Sequence, residues 1–256
     1  MKLYLVPNGT TQERKVSARL AVRSLSSRFT CLTDEDTLRW LELPGIAAAS
    51  PDEADMICAI GGDGTLLHAA HDALSSDKPL FGINLGNRGY LCAFHRDEAD
   101  LVSAETVCAL QEIPRTLLSF PWEGQERIAI NDIILAKEDF GVTIRLEATI
   151  PEESYHGAWQ GDGLILSTPT GSSAYNASAG GPLLLARSES FVLTPLCPVD
   201  PAPSVVFSDS HAISLIPDAR PASVKPSLYV DGTRLGKLRE PLIASRAARF
   251  LRLMQR

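Results

Sequence analysis

Residues 56–74 read Met-Ile-Cys-Ala-Ile-Gly-Gly-Asp-Gly-Thr-Leu-Leu-His-Ala-Ala-His-Asp-Ala-Leu. The first five form an unbroken apolar run, the signature of a strand covered on both faces, and the residues from Thr65 to Leu74 carry the apolar spacing of a helix. Between the two, Gly61, Gly62, Asp63 and Gly64 make a bend almost without side chains. A strand that feeds a helix through such a bend predicts a parallel sheet covered by helices.

The flanking sequence continues the alternation. An apolar run at Leu3 to Val6 precedes a polar helical stretch from about Gln12 to Ser27, and a third run, Leu80 to Ile83, follows the helix. These elements predict an α/β lobe over residues 1–100. A helical pattern from about Asp97 to Gln111 leads to Ile113-Pro114, after which strand patterns dominate: 116–120, 127–135, 142–150, 164–167, 191–193, 213–216 and 228–230. Residues 101–239 are therefore expected to form a β-rich lobe. One helix interrupts it, from about Ser172 to Ala179, and Gly180-Gly181-Pro182 supplies its stop. The proline-rich stretch 195–203 predicts a surface loop. The pattern at 244–253 predicts a helix, so a C-terminal helix within about 240–256 is expected to pack back on the first lobe.

Composition narrows the class of function. The chain has 256 residues, 45% hydrophobic and 21% charged, within the range of soluble globular proteins. Its net charge of −7 and pI near 5.3 repel polyanions, so nucleic acid is not expected as a partner, and an anionic ligand needs a local site. The five cysteines are scattered without a CxxC pair, which predicts reduced thiols. The run Leu3 to Val6 is too short for a signal peptide and no later run reaches membrane-spanning length; a cytoplasmic protein without membrane attachment is expected.

Three motifs carry candidate chemistry. At Gly61-Gly62-Asp63-Gly64-Thr65, the glycines let backbone amides approach a phosphate, and Asp63 can take the proton of an attacking hydroxyl or help hold Mg²⁺. The same residues also suit a tight turn in which Asp63 binds backbone amides. The second motif is Gln160-Gly161-Asp162-Gly163, followed by Leu164 to Ser167 and a turn from Thr168 to Ser178. Seven hydroxyl-bearing residues between Ser167 and Ser178 exceed what one helix cap uses, although capping by Thr170 or Ser172 accounts for two of them. The third is the polar pair Asn131-Asp132 inside an apolar strand, suited to a base and a sugar at a cleft, or to a bulge or strand end in solvent. Neither GxxxxGK[ST] nor a GxGxxG after a strand occurs. Phosphate charge must then be met by Mg²⁺, by helix amides and by a cation such as Arg88, which a surface loop would explain equally well. His68 and His71, three apart on the helix, do not by themselves close a metal site.

In order and approximate spacing, GGDGT at 61–65, Gly82-Ile83-Asn84-Leu85-Gly86-Asn87-Arg88-Gly89-Tyr90-Leu91, Asn131-Asp132 and GDGLILSTPTGSSAYNASAGGP at 161–182 resemble NAD kinases. The resemblance covers most of the chain; GGDGT is shared with lipid and sugar kinases, whereas STPTGSSAY is far more specific. It implies an α/β lobe and a β-rich lobe with NAD between them, ATP or polyphosphate as donor, a divalent metal, and assembly into homodimers or homotetramers. By matched position it makes Asp63 the general base toward the 2′-hydroxyl of the adenosine ribose, beside Gly64. Gly61, Gly62, Gly64 and Thr65 would meet phosphate. Asn131 and Asp132 would bind the adenosine portion, Asp162 the dinucleotide, and Ser173, Ala174, Tyr175 and Ser178 would pack on NAD.

The chain departs from the family pattern in Asp132 for Glu, Gln160 for a basic residue, Thr233 for Gln after Asp231-Gly232, and in the segment Val199 to Ser204, which lacks the usual His and Arg. Two other readings stay open: a diacylglycerol-type lipid kinase sharing GGDGT, and an NAD-binding regulator without turnover.

Overall fold

The apolar runs of the first hundred residues become parallel strands in the computed structural model, which describes residues 1–86, 89–220 and 223–256. They are β1 (Lys2–Pro7), β2 (Thr30–Thr33), β3 (Ile46–Ala48), β4 (Met56–Gly61) and β5 (Leu80–Asn84), in the spatial order β3-β2-β1-β4-β5, with the short β6 (Phe94–His95) paired to β5. β1 to β5 pair in parallel throughout. From β1 the chain runs outward through helix α1 (Gln12–Ser26), β2, α2 (Glu35–Leu41) and β3, then returns to the other side of β1 as β4, α3 (Asp63–Ser76) and β5. The order therefore reverses between β1 and β4, and the crevice outside the carboxyl ends of such strands is where open α/β sheets bind ligands.

Each helix is explained locally. The side chain of Thr11 accepts from the Arg14 amide and caps α1, which buries Ala18, Ala21, Val22 and Leu25 at helical spacing. α3 buries Leu66, Ala69, Ala70 and Ala73 in the same way; its N-cap, Gly62, has no side chain to cap with. The 97–111 stretch is not the single helix its pattern suggests. It breaks into a 3-10 helix at Arg96–Leu101, a short α4 (Ala104–Cys108) restarted by the Ser103 capping box, and strand β7 (Gln111–Arg115).

Residues 115–250 form a second unit built on two antiparallel sheets. One contains, in spatial order, β15 (Val205–Ser208), β14 (Ser190–Leu196), β13 (Gly163–Ser167), β10 (Asp132–Ala136), β17 (Ser227–Val230) and β18 (Thr233–Lys237). The other runs β12 (Tyr155–Gly161), β11 (Ile144–Ile150), β16 (Ile213–Pro217), β19 (Leu242–Arg246), β8 (Leu118–Trp122) and β9 (Gln125–Ala129). Their facing sides share one core, with Ile133, Leu135 and Leu166 from the first sheet and Phe120, Leu146 and Leu215 from the second. β11 alternates buried and exposed residues, as a strand with one wet face should. β10 and β13 are buried on both faces because Ile134, Ile165 and Leu196 pack on the other side against Ala179 and Tyr229.

Three expectations for this unit need correction. The run 127–135 is not one strand: it ends at Ala129 and resumes at Asp132. Pro195 belongs to β14, opposite Leu164, rather than to a loop, because its neighbours pair on both sides of it. The expected helix at 244–253 is absent. Leu242 and Ala244 are buried in β19, and Leu251 and Leu253 in the strand β20 (Leu251–Gln255), a period of two that belongs to strands. β20 lies between β5 and β7 in the first unit's sheet, so residues 1–114 and 251–256 make that unit together.

Among the described residues no helix is long and apolar enough to cross a membrane.

Leu253 is fully buried and faces Leu80 in the parallel pairing of β20 with β5. Leu253→Ala is therefore expected to cost about 3 kcal/mol, the usual range for emptying a core leucine site. Urea unfolding of the two proteins reads the difference directly, and a loss below about 1 kcal/mol would show that the terminal strand contributes little.

Candidate active site

The end of β4 and the start of α3 make the first half of the site. A Cβ on Gly61 would lie 2.2 Å from Thr65 Oγ1, so the bend closes this tightly only with glycine there. Thr65 Oγ1 in turn accepts from Asn8 Nδ2 at 3.0 Å, tying the turn after β1 to the turn after β4. Beside them opens a cleft of about 650 Å³, lined among the described residues by Gly61, Gly62, Gly64, Thr65, Asn8 and the first turn of α1. Its size is that of a small-molecule site, and it lies at the reversal of strand order.

Asp63 is the first residue of α3, where the helix amides favour negative charge. Its carboxylate accepts from the amides of Tyr90 at 3.0 Å and Leu91 at 3.3 Å, one on each oxygen. Asp63 therefore does bind backbone amides, those of a segment 27 positions on rather than of its own turn. This binding does not use up the group: an ionised carboxylate has about four acceptor positions, and two amides fix its orientation while the others stay available. Asp63 also acts on its surroundings, since burial first and the Asp63 charge second push the Cys92 thiol up to about 12, making it a poor nucleophile. Asn87 and Arg88, the latter a candidate phosphate cation, lie outside the described residues.

In the second unit the break between β9 and β10 presents Asn131 and Asp132. The three amides of Ile130, Asn131 and Asp132 all donate to the carboxylate of Asp231, at 2.7–3.1 Å. Asp231 and Gly232 both have positive φ, +47° and +82°, and form the tight hairpin turn between β17 and β18. The Asn131 carbonyl is held as well, accepting from the Thr168 amide at 2.9 Å, and Gly171 packs so close to it that a Cβ there would lie 2.1 Å from its oxygen. The importance of Asp231 went unread in the sequence, where an Asp-Gly pair between two strand patterns signals a hairpin and nothing about a residue a hundred positions away.

The hydroxyl-rich segment divides into two groups. Thr168 Oγ1 donates to the Ile130 carbonyl, Ser167 Oγ to that of Asn131, and Ser172 Oγ to that of Pro169, while Ser172 Oγ accepts from the Leu184 amide. These hydroxyls hold backbone. Asn176 does likewise, donating to the carbonyls of Ser172 and Pro182 and accepting from Thr194 Oγ1. Ser173, Tyr175 and Ser178 are exposed, on a 3-10 turn and the single-turn α5 (Tyr175–Ser178), with Ala174 between them. Two side-chain oxygens, Asn131 Oδ1 and Thr170 Oγ1, are buried without a hydrogen-bond partner among the described residues, a capacity that a bound ligand would use.

Asp162 and Tyr175 line one small cavity of about 170 Å³ together with Lys137, Phe140 and Leu196. Lys137 Nζ lies 2.6 Å from Asp162 Oδ1. A pair so placed, with the lysine side chain only 12% exposed, leaves Asp162 oriented and largely neutralised.

Among the described residues, no group of three or more His, Cys, Asp or Glu is placed to hold a metal ion. His68 and His71 are both exposed on α3.

Residues 8–109 match the family model of the ATP-NAD kinase N-terminal domain, and residues 130–240 that of the ATP-NAD kinase C-terminal domain. The NAD kinase of Wolinella succinogenes is 38% identical over 150 residues, 57% of this chain and 51% of that protein. The NAD kinase of Chlorobium limicola is 33% identical over 239 residues, 86% of this chain and 79% of that protein. Against the first six curated relatives the chain spans between 51% and 60% of their length. Yeast NADH kinase, solved with NADH, superposes on 100% of this chain and 83% of its own with a TM-score of 0.83; at 21% identity this is a likeness of fold.

Asp132 is 4% exposed, and burial, with the Asp231 charge behind it, raises its carboxyl to about 7. The folded protein thus holds this proton more tightly than the unfolded chain does. The stability that the neutral acid contributes is complete below about pH 4 and is lost as pH rises through about 7. Asp132→Asn, which mimics the neutral acid, should leave the thermal midpoint unchanged near pH 4 and raise it by about 5 °C at pH 8. A difference between the two proteins that does not vary with pH would show that Asp132 does not titrate in this range.

Proposed function

Because the chain belongs to the ATP-NAD kinase family, we propose that it transfers the terminal phosphoryl group of ATP, or of polyphosphate, to the 2′-hydroxyl of the adenosine ribose of NAD, giving NADP. The observation that carries the reading is Asp63, a half-buried carboxylate aimed by two amides beside a cleft of about 650 Å³ at the switch point of the sheet.

In this mechanism the ribose oxygen attacks the terminal phosphorus as its proton passes to the Asp63 carboxylate. The new O–P bond forms while the bond to the departing ADP, or to the shortened polyphosphate, breaks, and the electron pair leaves with that group. Little covalent work falls to the protein, so positioning and charge placement supply the rate. The amides opening α3 and the side-chain-free backbone at Gly61, Gly62 and Gly64, with Thr65, favour the donor phosphates. A divalent metal such as Mg²⁺ would arrive with the donor and offset its charge.

Asn131 and Asp132 hold the adenosine portion in this reading. Several features support that role: Asn131 Oδ1 is buried without a partner among the described residues, the Asp132 carboxyl is raised to about 7 so that a large fraction is protonated at neutral pH, and the backbone of both is fixed by Asp231. A neutral Asp132 can donate a hydrogen bond that the ionised form cannot. Asp162, the exposed Ser173, Tyr175 and Ser178, and the partly buried Ala174 contact the rest of the dinucleotide. The five cysteines are free, which suits a reducing cytoplasm, and a homodimer or homotetramer is the assembly that goes with the family.

Purified protein supplied with NAD, Mg²⁺ and either ATP or polyphosphate should form NADP. Phosphorylation of diacylglycerol with NAD untouched would establish the lipid-kinase alternative instead, and NAD binding without product under any donor would establish a regulator. Asp63→Asn should lower turnover by about two to four powers of ten, since a positioned proton acceptor is lost, with NAD affinity changed by less than about threefold. An unchanged rate in that variant would remove Asp63 from the chemistry.

A further inference from the structure

The cleft of the first unit contains three ionisable side chains among its described lining residues: Glu13 and Arg14 from the opening turn of α1, and Arg96 from the 3-10 helix after β6. A donor phosphate chain brings several negative charges to a protein whose own net charge is −7. Backbone amides at a helix start supply only partial charges, worth little over a chain of phosphates once screened by salt. No P-loop lysine is present in the sequence to fill the deficit. Beyond what a donor-borne metal offsets, positive charge has to come from side chains, and among the described lining residues those are Arg14 and Arg96.

We propose that Arg14 and Arg96 form the cationic clamp that holds the phosphate chain of the phosphoryl donor, and that they set the affinity of this cleft for donors. The inference rests on the kinase reading above and assigns donor recognition within it. Both residues sit on the rim from which the glycine bend of β4 and α3 is reached, Arg14 one helical turn past the Thr11 cap and Arg96 directly after β6. Their charges are available. Arg14 Nη1 donates to Thr10 Oγ1 at 3.1 Å, a neutral partner that orients the guanidinium without cancelling it. Arg96 Nε lies 3.6 Å from Asp97 Oδ1 with both side chains more than half exposed, a pair that solvent weakens and a phosphate can displace. The planar guanidinium matches two phosphate oxygens at once, which makes arginine suited to this task. Glu13 in the same lining works against the anion and sharpens the need for two arginines.

The test uses the full chain and three variants, Arg14→Gln, Arg96→Gln and the double variant, with Arg14→Lys as the conservative control. Both side chains are exposed, and thermal unfolding checks that each variant is folded as wild type. KM for ATP, KM for NAD and the affinity for inorganic tripolyphosphate are measured on each. Each single Gln variant should raise KM for ATP and weaken tripolyphosphate about tenfold, and the double variant about a hundredfold, as expected for charge-assisted contacts. KM for NAD should stay within about twofold, and Arg14→Lys should recover part of the loss because charge is kept while the fork is not. A folded double variant with wild-type KM for ATP and wild-type tripolyphosphate affinity would overturn the clamp. Arginine-dependent tripolyphosphate binding by a protein that forms no NADP would support the clamp and overturn the NAD kinase reading, so the two ideas fail separately.

Discussion

A carboxylate that takes up backbone amides where a strand ends is the interaction on which both functional regions rest. Asp231 collects three consecutive amides at the break between β9 and β10, and Asp63 collects two from the loop at Tyr90 and Leu91. In each case the amides would otherwise lack a ladder partner, and leaving them unpaired in a half-buried place costs free energy of the order of a hydrogen bond each. The arrangement is economical because one charged group satisfies several donors. It also freezes the geometry of the residues alongside, which is what a site for a phosphate or a nucleoside needs.

Charge in this protein is handled locally rather than by its overall field. The net charge is negative, yet the cleft beside Asp63 has two arginines in its lining. The carboxyl of Asp132 is held near neutrality by burial and by Asp231, whereas Asp162 meets the nearly buried Lys137. Two acidic side chains thus sit in different surroundings, one buried beside another carboxylate and one paired with a lysine. Proximity in sequence says little about which state a carboxylate adopts.

Much of this was legible in the residues, and the unreadable part has physical reasons. The bend at Gly61 to Gly64 and the strands around it follow from an apolar run, a glycine cluster and helical spacing, all local signals. The break at residues 130–131 did not show, because 127–135 reads as continuous strand and the amides that break it are satisfied by Asp231, a hundred positions away. The final segment looked helical because alanine and arginine tolerate a helix; the neighbours available to Leu251 and Leu253 in the sheet decide otherwise. The abundance of hydroxyls at 167–178 suggested a ligand, but Ser167, Thr168 and Ser172 hold backbone, and the exposed Ser173, Tyr175 and Ser178 form a smaller set. Some contacts exist only through the fold: His156 meets Glu147 across the β11–β12 pairing, and His211 meets Glu153.

The path of the chain has a consequence for its biosynthesis. Everything the second unit's two sheets require lies between residues 115 and 250, whereas the parallel sheet that contains β1 to β5 receives its strand next to β5 from residues 251–255. On a ribosome that emits the polypeptide from its amino end, the middle of the protein can reach its final state first. The strands β1 to β5, translated before it, keep an open sheet edge beside β5 until β20 has emerged, and that interval is when a chaperone would have most to protect.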